Sequence, residues 1–588
     1  MAGDRTRDFD VAVVGGGVGG ATIAAILARH DVRVVMLEAG SHPRFAIGES
    51  TVPDSTLGLR NLALRYDVPE LANLASHGAV RRHVSPASGV KRSFVYAHHR
   101  EGEPFRAEEC NQFPTAAPPF GPDSHFFRQD IDAYVYQVAL KYGAEGLTHT
   151  PVTGVDFDAD GATVNTSTAG AFRVKYVIDA GGMRSVLADQ LDLRVEPPFR
   201  TRSRTIFNHF VGVEPFDNIA PPRSEHKLLS PFHQGTLHHV WKGGWAWVIA
   251  FDNHAGSTSQ LCSVGISLDL DEHPKQEGES AEDEFWRHVA RFPDFKRQMS
   301  SARAVRPYVA SARNQFSSRQ VIGDRWCLLP HASDFVDPLF SSGLSVTFMA
   351  LHALGHRLID AVREDDFSTE RFDYIQTWVK KSFEYFDALA YNSYLAFGDF
   401  ELWNAWARVW TICSLYSAIS QLNLTFAFQR TKDVCVFKRF EQAPYRGVQS
   451  VDNPECMELL RVSDAAMQLY RSGEISSAET QRRIYKALSD SGLTPATTAL
   501  LDPKSRTPGG VLTMLSMART ATWAMKSAPA HVRDPYFGNN DISGGAILVE
   551  AVRHLAEDGK RGGTTTRQAV RDMFVSWNDD WRSVGRSG

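Results

Sequence analysis

The chain has 588 residues, 43% apolar and 22% charged, a globular balance that excludes extended disorder. Its 63 Lys and Arg stand against 68 Asp and Glu, so the net charge of −5 offers no basic excess for nucleic acid or an anionic membrane. Six scattered cysteines form no CxxC pair, which excludes a disulfide scaffold or a cysteine-rich zinc site and leads us to expect a reducing, cytoplasmic setting. No run approaches the ~18 apolar residues of a membrane-spanning helix, and the polar start of the chain does not read as a signal peptide.

Phe9-Asp-Val-Ala-Val-Val14 reads as a buried parallel strand. Gly15, Gly17 and Gly20 follow as GxGxxG, then a small-residue helix from Ala21 and a second strand, Val32–Leu37, ending at Glu38. In this context Gly15 permits the tight turn, Gly17 lets backbone approach a pyrophosphate, and Gly20 allows close helix–strand packing. The helix N-terminus offers N–H groups to phosphates, and Glu38 can accept from ribose hydroxyls. The alternative is a glycine-rich turn of another α/β fold.

Three later segments point to FAD by resemblance to flavin hydroxylase-like proteins. The loop Arg44-Phe-Ala-Ile-Gly48-Glu49-Ser50 stands where those proteins approach the flavin, and Val177-Ile-Asp179-Ala-Gly-Gly182 resembles a strand they use beside the cofactor. Trp326 to Pro338 stands where they carry Gly-Asp-Ala and then an Asp-Pro turn, here Asp337-Pro338. Pro330-His331 replaces the Gly-Asp, which removes the usual carboxylate contact to the ribityl chain. Arg128 opens a helix, as does an arginine that reaches the cofactor in flavin monooxygenases; an ordinary surface arginine is the alternative.

Four motifs in order resemble the flavin-dependent halogenase family. They are Gly48-Glu-Ser-Thr-Val-Pro53, the lysine segment Ser88–Tyr96 with Lys91, Gly244-Trp-Ala-Trp-Val-Ile-Ala250, and the FxxPxxSxG turn Phe335–Gly343. The resemblance spans about residues 9–360. It implies that FADH2 and O2 oxidise chloride or bromide to hypohalous acid. The Ser342 and Gly343 N–H groups would hold the halide, and Lys91 would relay the oxidant to a distant substrate. It also implies a separate flavin reductase, since no NAD(P)H site is evident. Trp245 and Trp247 lie two apart on one strand face, where the family separates flavin from substrate. The plain alternatives are a solvated Lys91, an ordinary helix start at Ser342, and tryptophans that only pack the core.

Phe340 stands where tryptophan halogenases carry a glutamate that activates indole. Without a carboxylate there, the substrate must be electron-rich itself: a phenol, a pyrrole or an enolisable acyl group, free or on a carrier protein. Ala250, in place of the motif proline, leaves an FAD-dependent monooxygenase as the alternative. The pairs His98-His99 and His238-His239 face opposite sides of strands and make poor metal sites.

The expected fold is α/β (α+β). A Rossmann-like FAD-binding module of flavin monooxygenase type covers 1–365, with nucleotide-binding parts near 9–80, 120–185 and 315–365. A sheet-rich substrate part near 85–115 and 195–310 is interleaved with it. A mainly helical region, 366–588, would cap the pocket. Tyr391, Tyr394, Phe397, Phe400, Trp403, Trp406 and Trp410 recur at spacings of three and four, the mark of one helical stripe. Residues 500–545 read as a loop with a helix near 510–527, and a last helix would carry Trp577 and Trp581.

Overall fold

Short β-branched runs with no polar side chain have to be buried on both faces, and they build the first sheet here. Val11–Val14 and Val34–Leu37 are buried throughout and pair in parallel, Val11 against Val34. Tyr176–Asp179 lies on the other side of Val11–Val14, followed by Trp326–Leu328. The full order runs Ile322–Gly323, Trp326–Leu328, Tyr176–Asp179, Val11–Val14, Val34–Leu37, Glu145–Leu147. Helix Val18–Arg29 presses Ala21, Ala24, Ala25 and Ala28 inward, which lets it sit close to the strands. The computed structural model describes residues 7–115, 122–442, 451–495, 498–508 and 526–536, with scattered positions between 519 and 561.

The second sheet is larger and mostly antiparallel. Ser203–Val211, Cys262–Asp269, Gly244–Ala250, Thr236–Trp241, Ser93–His98 and Cys110–Pro114 follow one another across it. Its strands alternate between two cores. Val95, Ala97, Leu237, Ala246, Val248, Val264 and Ile266 face a satellite core under helix Ala281–Ala290. Phe94, Tyr96, Trp245 and Trp247 face the main core and the nucleotide-binding layer. The histidine pairs split the same way. His238 stacks on Tyr96 at 4.5 Å, whereas His99 Nε2 lies 2.7 Å from His239 Nδ1 and His239 stacks on Phe295 at 4.4 Å.

Among the described residues after 366 helices dominate: Asp373–Ala396, Phe400–Thr431, Pro454–Arg471 and Ser477–Asp490. The aromatic stripe is therefore not one helix. The chain breaks at Phe397-Gly398-Asp399, and the Asp399 carboxylate caps the next helix by accepting from Glu401 N and Leu402 N. Spacing alone carried the stripe through this cap. Arg408, fully buried, donates to the carbonyls of Ala499, Leu500 and Ser505 and so ties residues 499–505 to helix Phe400–Thr431. Part of the 500–545 segment is helical, Ala530–Tyr536. Most of the helix expected near 510–527, and Trp577 and Trp581, lie outside the described residues. Among the described residues no helix is long and apolar enough to cross a membrane.

Candidate active site

The three motif glycines differ in what surrounds them. Gly15 has φ +100°, and a Cβ there would sit 2.8 Å from the Ala180 carbonyl oxygen. A Cβ on Gly20 would lie 2.1 Å from the Gly15 oxygen. Both glycines are demanded by the chain's own packing. Gly17 is not: its nearest neighbours would be Arg44 Nη2 at 3.5 Å and Asp132 Oδ2 at 3.8 Å. A Cβ here would meet only ordinary contacts, so packing does not demand this glycine, and its bare backbone at the start of a helix fits close approach by a pyrophosphate.

Glu38 closes this cleft. Its Oε2 accepts from Gly16 N at 2.9 Å and its Oε1 from Gly40 N at 2.8 Å, which leaves lone pairs on both oxygens. Arg44 Nη2 stands 3.4 Å from Glu38 Oε2. Arg128 is fixed by Asp132, at 2.6 Å from Nε and 2.9 Å from Nη2, and donates to the Ile47 and Gly48 carbonyls. The arginine thus pins the 44–50 loop over the cleft, where Gly48 has φ +86°.

Four expected cofactor residues are engaged elsewhere by their side chains. Asp179 accepts from Gly181 N, Ser185 Oγ and Leu187 N, so it shapes the turn behind the cleft. Asp337 accepts from Leu339 N at 3.1 Å, Ser203 Oγ at 2.7 Å and Tyr394 OH at 3.1 Å; burial pushes its carboxyl up to about 6. Glu49 pairs with His209 Nε2 at 2.6 Å inside the sheet layer. Ser50 meets Lys91, not the nucleotide cleft.

Lys91 is wholly buried, at 0% exposure, so the solvated alternative fails. Nζ donates to Ser50 Oγ and to the Thr51 carbonyl, both at 2.7 Å, and lies 3.5 Å over the Phe94 ring. Burial drives its ammonium well below the usual lysine range, against the pull of Asp123. Asp123 faces Lys91 directly across the Gly89–Lys91 and Asp123–His125 strand pair. Its carboxyl is pushed up to about 7 by burial, with Lys91 and Thr56 opposing. His238 is pushed down to about 3 by burial and then by the Lys91 charge, so it is neutral.

The turn at Pro338–Gly343 opens helix Gly343–Glu364. Ser341 takes φ +52° and Ser342 is the cap, so the first-turn N–H groups lack intrahelical partners. His331, in the place of the missing carboxylate, packs on this turn: a Cβ on Gly343 would lie 2.5 Å from His331 Nε2. Burial, then Arg128, pushes the imidazole down to about 4, so it is uncharged.

Aromatic rings join the turn to the lysine. Phe340 lies 5.0 Å from Trp410, and Trp410 lies 5.0 Å from Phe94, under Lys91 Nζ. Trp410 comes from the helix Phe400–Thr431, so that region packs between the lysine and the turn. Trp245 and Trp247 share a face at 5.7 Å, and Trp245 Nε1 donates to Tyr394 OH at 3.0 Å, next to Asp337. Sequence reading missed Asp123, His125 and Thr236. Their only signal is the alternation of Asp123 and His125 on one strand face.

A nucleotide-type glycine turn, a helix-opening Ser342-Gly343 turn and a buried lysine joined to it by packed aromatic rings are together the features of a flavoprotein of halogenase type. Residues 13–69 match the NAD(P)-binding Rossmann-like domain model, and residues 106–434 match the tryptophan halogenase model. The chain is 37% identical to monodechloroaminopyrrolnitrin halogenase PrnC from Pseudomonas fluorescens, over 91% of this chain and 95% of that protein. It is 41% identical to the tetracycline 7-halogenase of Kitasatospora aureofaciens, over 75% of this chain and 80% of that one. The solved structure of halogenase PltM in complex with phloroglucinol and FAD superposes with TM-score 0.81 at 32% identity, covering 85% of this chain and 99% of that one. The chain belongs to the flavin-dependent halogenase family.

Proposed function

We propose that this enzyme halogenates an electron-rich small substrate, a phenol, a pyrrole or an enolisable acyl group, using FAD in its reduced form and chloride or bromide. Bound FADH2 with O2 supplies the oxidising power that turns halide into hypohalous acid. Gly17 and Glu38 hold the nucleotide end, Gly15 and Gly20 shape the turn that presents it, and Arg44, Gly48 and Arg128 set the loop above it. The N–H groups of Ser342 and Gly343 hold the halide at a helix N-terminus. Lys91 presents N–H to the oxidant, and Trp245, Trp247 and Phe340 keep water out of the path. Asp179, Asp337, Glu49 and Ser50 support the site by shaping it.

The observation that carries this reading is the aromatic path Lys91–Phe94–Trp410–Phe340, which links the buried lysine to the turn without a carboxylate. With Phe340 in the carboxylate's place, ring activation falls to the substrate. A free-standing small substrate agrees with the names of monodechloroaminopyrrolnitrin halogenase and tetracycline 7-halogenase; a carrier-bound acyl group, as in the name of the 25% identical 1H-pyrrole-2-carbonyl-[peptidyl-carrier protein] chlorinase, is the second form to test. FADH2 would come from a partner reductase, and the region from 366 would cap the pocket. The test is a bromide-dependent mass shift on a panel of phenols, free and carrier-bound, under FADH2 regeneration. Hydroxylated product without halide dependence would make it a monooxygenase.

A further inference from the structure

Lys91 Nζ begins a line of hydrogen bonds that crosses three segments of the chain. Nζ donates to Ser50 Oγ at 2.7 Å. Ser50 Oγ lies 2.9 Å from Thr236 Oγ1, Thr236 Oγ1 lies 3.0 Å from His125 Nε2, and His125 Nδ1 lies 3.0 Å from the Ala250 carbonyl. All five residues are buried. The direction of each bond follows from the far end. A carbonyl only accepts, so His125 Nδ1 carries a hydrogen. Burial, then the Lys91 charge, pushes this imidazole down to about 3; it is neutral and its Nε2 is bare. Thr236 must donate its single hydrogen to Nε2. It can then only accept from Ser50, whose hydrogen is spent in turn. Ser50 therefore meets Lys91 solely as an acceptor.

We infer that His125 is a positioning residue for Lys91: by orienting the Thr236 and Ser50 hydroxyls one after the other, it commits Lys91 Nζ to the donor role. The surroundings ask for the same thing. The Thr51 carbonyl at 2.7 Å and the Phe94 face at 3.5 Å are the other groups around Nζ, and both are electron-rich. The groups with charge or titration facing this site are Asp123, with Asp54 beyond it, and the histidines 125, 233 and 238. Among them Asp123 supports an ammonium and burial opposes it; the relay adds a second support that carries no charge. The inference rests on Lys91 being the group that presents N–H to the oxidant.

The test compares Thr236→Val, which deletes the hydroxyl at nearly constant shape, with Thr236→Ser, which keeps it, and with His125→Leu. The readout in flavin-free protein is the pH titration of the Lys91 13Cε resonance in lysine-labelled material, assigned by its loss in Lys91→Met. In Thr236→Val and His125→Leu the Ser50 hydrogen is free to turn toward Nζ, which favours the free amine. The Lys91 midpoint then falls by about one pH unit or more, and Thr236→Ser keeps the wild-type midpoint. The matching limb of the kcat profile for bromination moves by the same amount. An unmoved midpoint in folded Thr236→Val, or an equal shift in Thr236→Ser, overturns the inference. Should His125→Leu not fold, the Thr236 pair decides alone. A shifted midpoint in a protein that halogenates nothing keeps the positioning role and overturns the functional reading instead.

Discussion

Gly17 and Gly20 sit three residues apart, yet alanine should act on different properties at the two positions. At Gly20 the new Cβ would lie 2.1 Å from the Gly15 carbonyl oxygen and 3.0 Å from the Ala180 Cβ. The first contact is with backbone and cannot be relieved by a rotamer change, so helix and strand must part by about 1 Å, at a cost of ~3 kcal/mol, the upper end of overpacking. At Gly17 the closest atom would be 3.5 Å away, an ordinary contact, so the flavin-free protein should keep its stability to within ~0.5 kcal/mol. The same methyl occupies the space in which backbone has to approach the pyrophosphate. FAD affinity should then fall about 100-fold, equivalent to ~2.7 kcal/mol. Thermal melts of flavin-free protein and FAD titration by fluorescence quenching separate the two effects. Wild-type FAD affinity in Gly17→Ala, or equal destabilisation by the two substitutions, would refute the assignment of Gly17 to the cofactor.

Other outcomes follow from the same geometry. Arg408→Met strips donors from three carbonyls of the 499–505 segment and should cost ~3 kcal/mol or more; thermal melts and protease cleavage within 498–508 check it. Trp410→Ala removes the ring between Phe94 and Phe340 and should cost ~3–5 kcal/mol while broadening the products formed, read by melting and by product isomer ratios. Asp123 has its carboxyl raised to about 7 from 3.8, so the folded chain holds that proton more tightly than the unfolded one. The stability this confers is present below about pH 4 and lost as pH rises through about 7. Denaturant melts should show wild type losing ground to Asp123→Asn across that interval; a difference that stays flat would contradict the burial argument.

Much of this molecule is legible in local pattern. The strand–turn–helix of residues 11–29 can be read because glycine spacing and β-branched runs act within one turn of chain. The FxxPxxSxG turn is visible for the same reason. What surrounds Lys91 is not legible in this way. Asp123, Thr236 and His125 lie 32, 145 and 34 residues from it in sequence, and it takes the pairing of Gly89–Lys91 with Asp123–His125 and of Ser93–His98 with Thr236–Trp241 to bring them together. The fate of a carboxylate is equally hidden. Asp179, Asp337 and Glu49 resemble cofactor contacts by position, but Asp179 is taken by donors of its own turn, and Asp337 and Glu49 by donors from distant segments. The stripe at 391–410 shows the reverse failure: a consistent period hid the cap at Asp399, although Trp410 still reaches the site.

Lys91 carries the central claim, and one comparison addresses it most directly. Wild type and Lys91→Met are each supplied with FADH2, O2, bromide and a phenol panel, with FAD affinity measured in parallel. The account predicts bromine isotope pairs in the wild-type product, dependent on bromide, and at least ~1000-fold less product from Lys91→Met at unchanged FAD affinity. Brominated product from Lys91→Met at the wild-type rate, or a hydroxylated wild-type product indifferent to bromide, would contradict it.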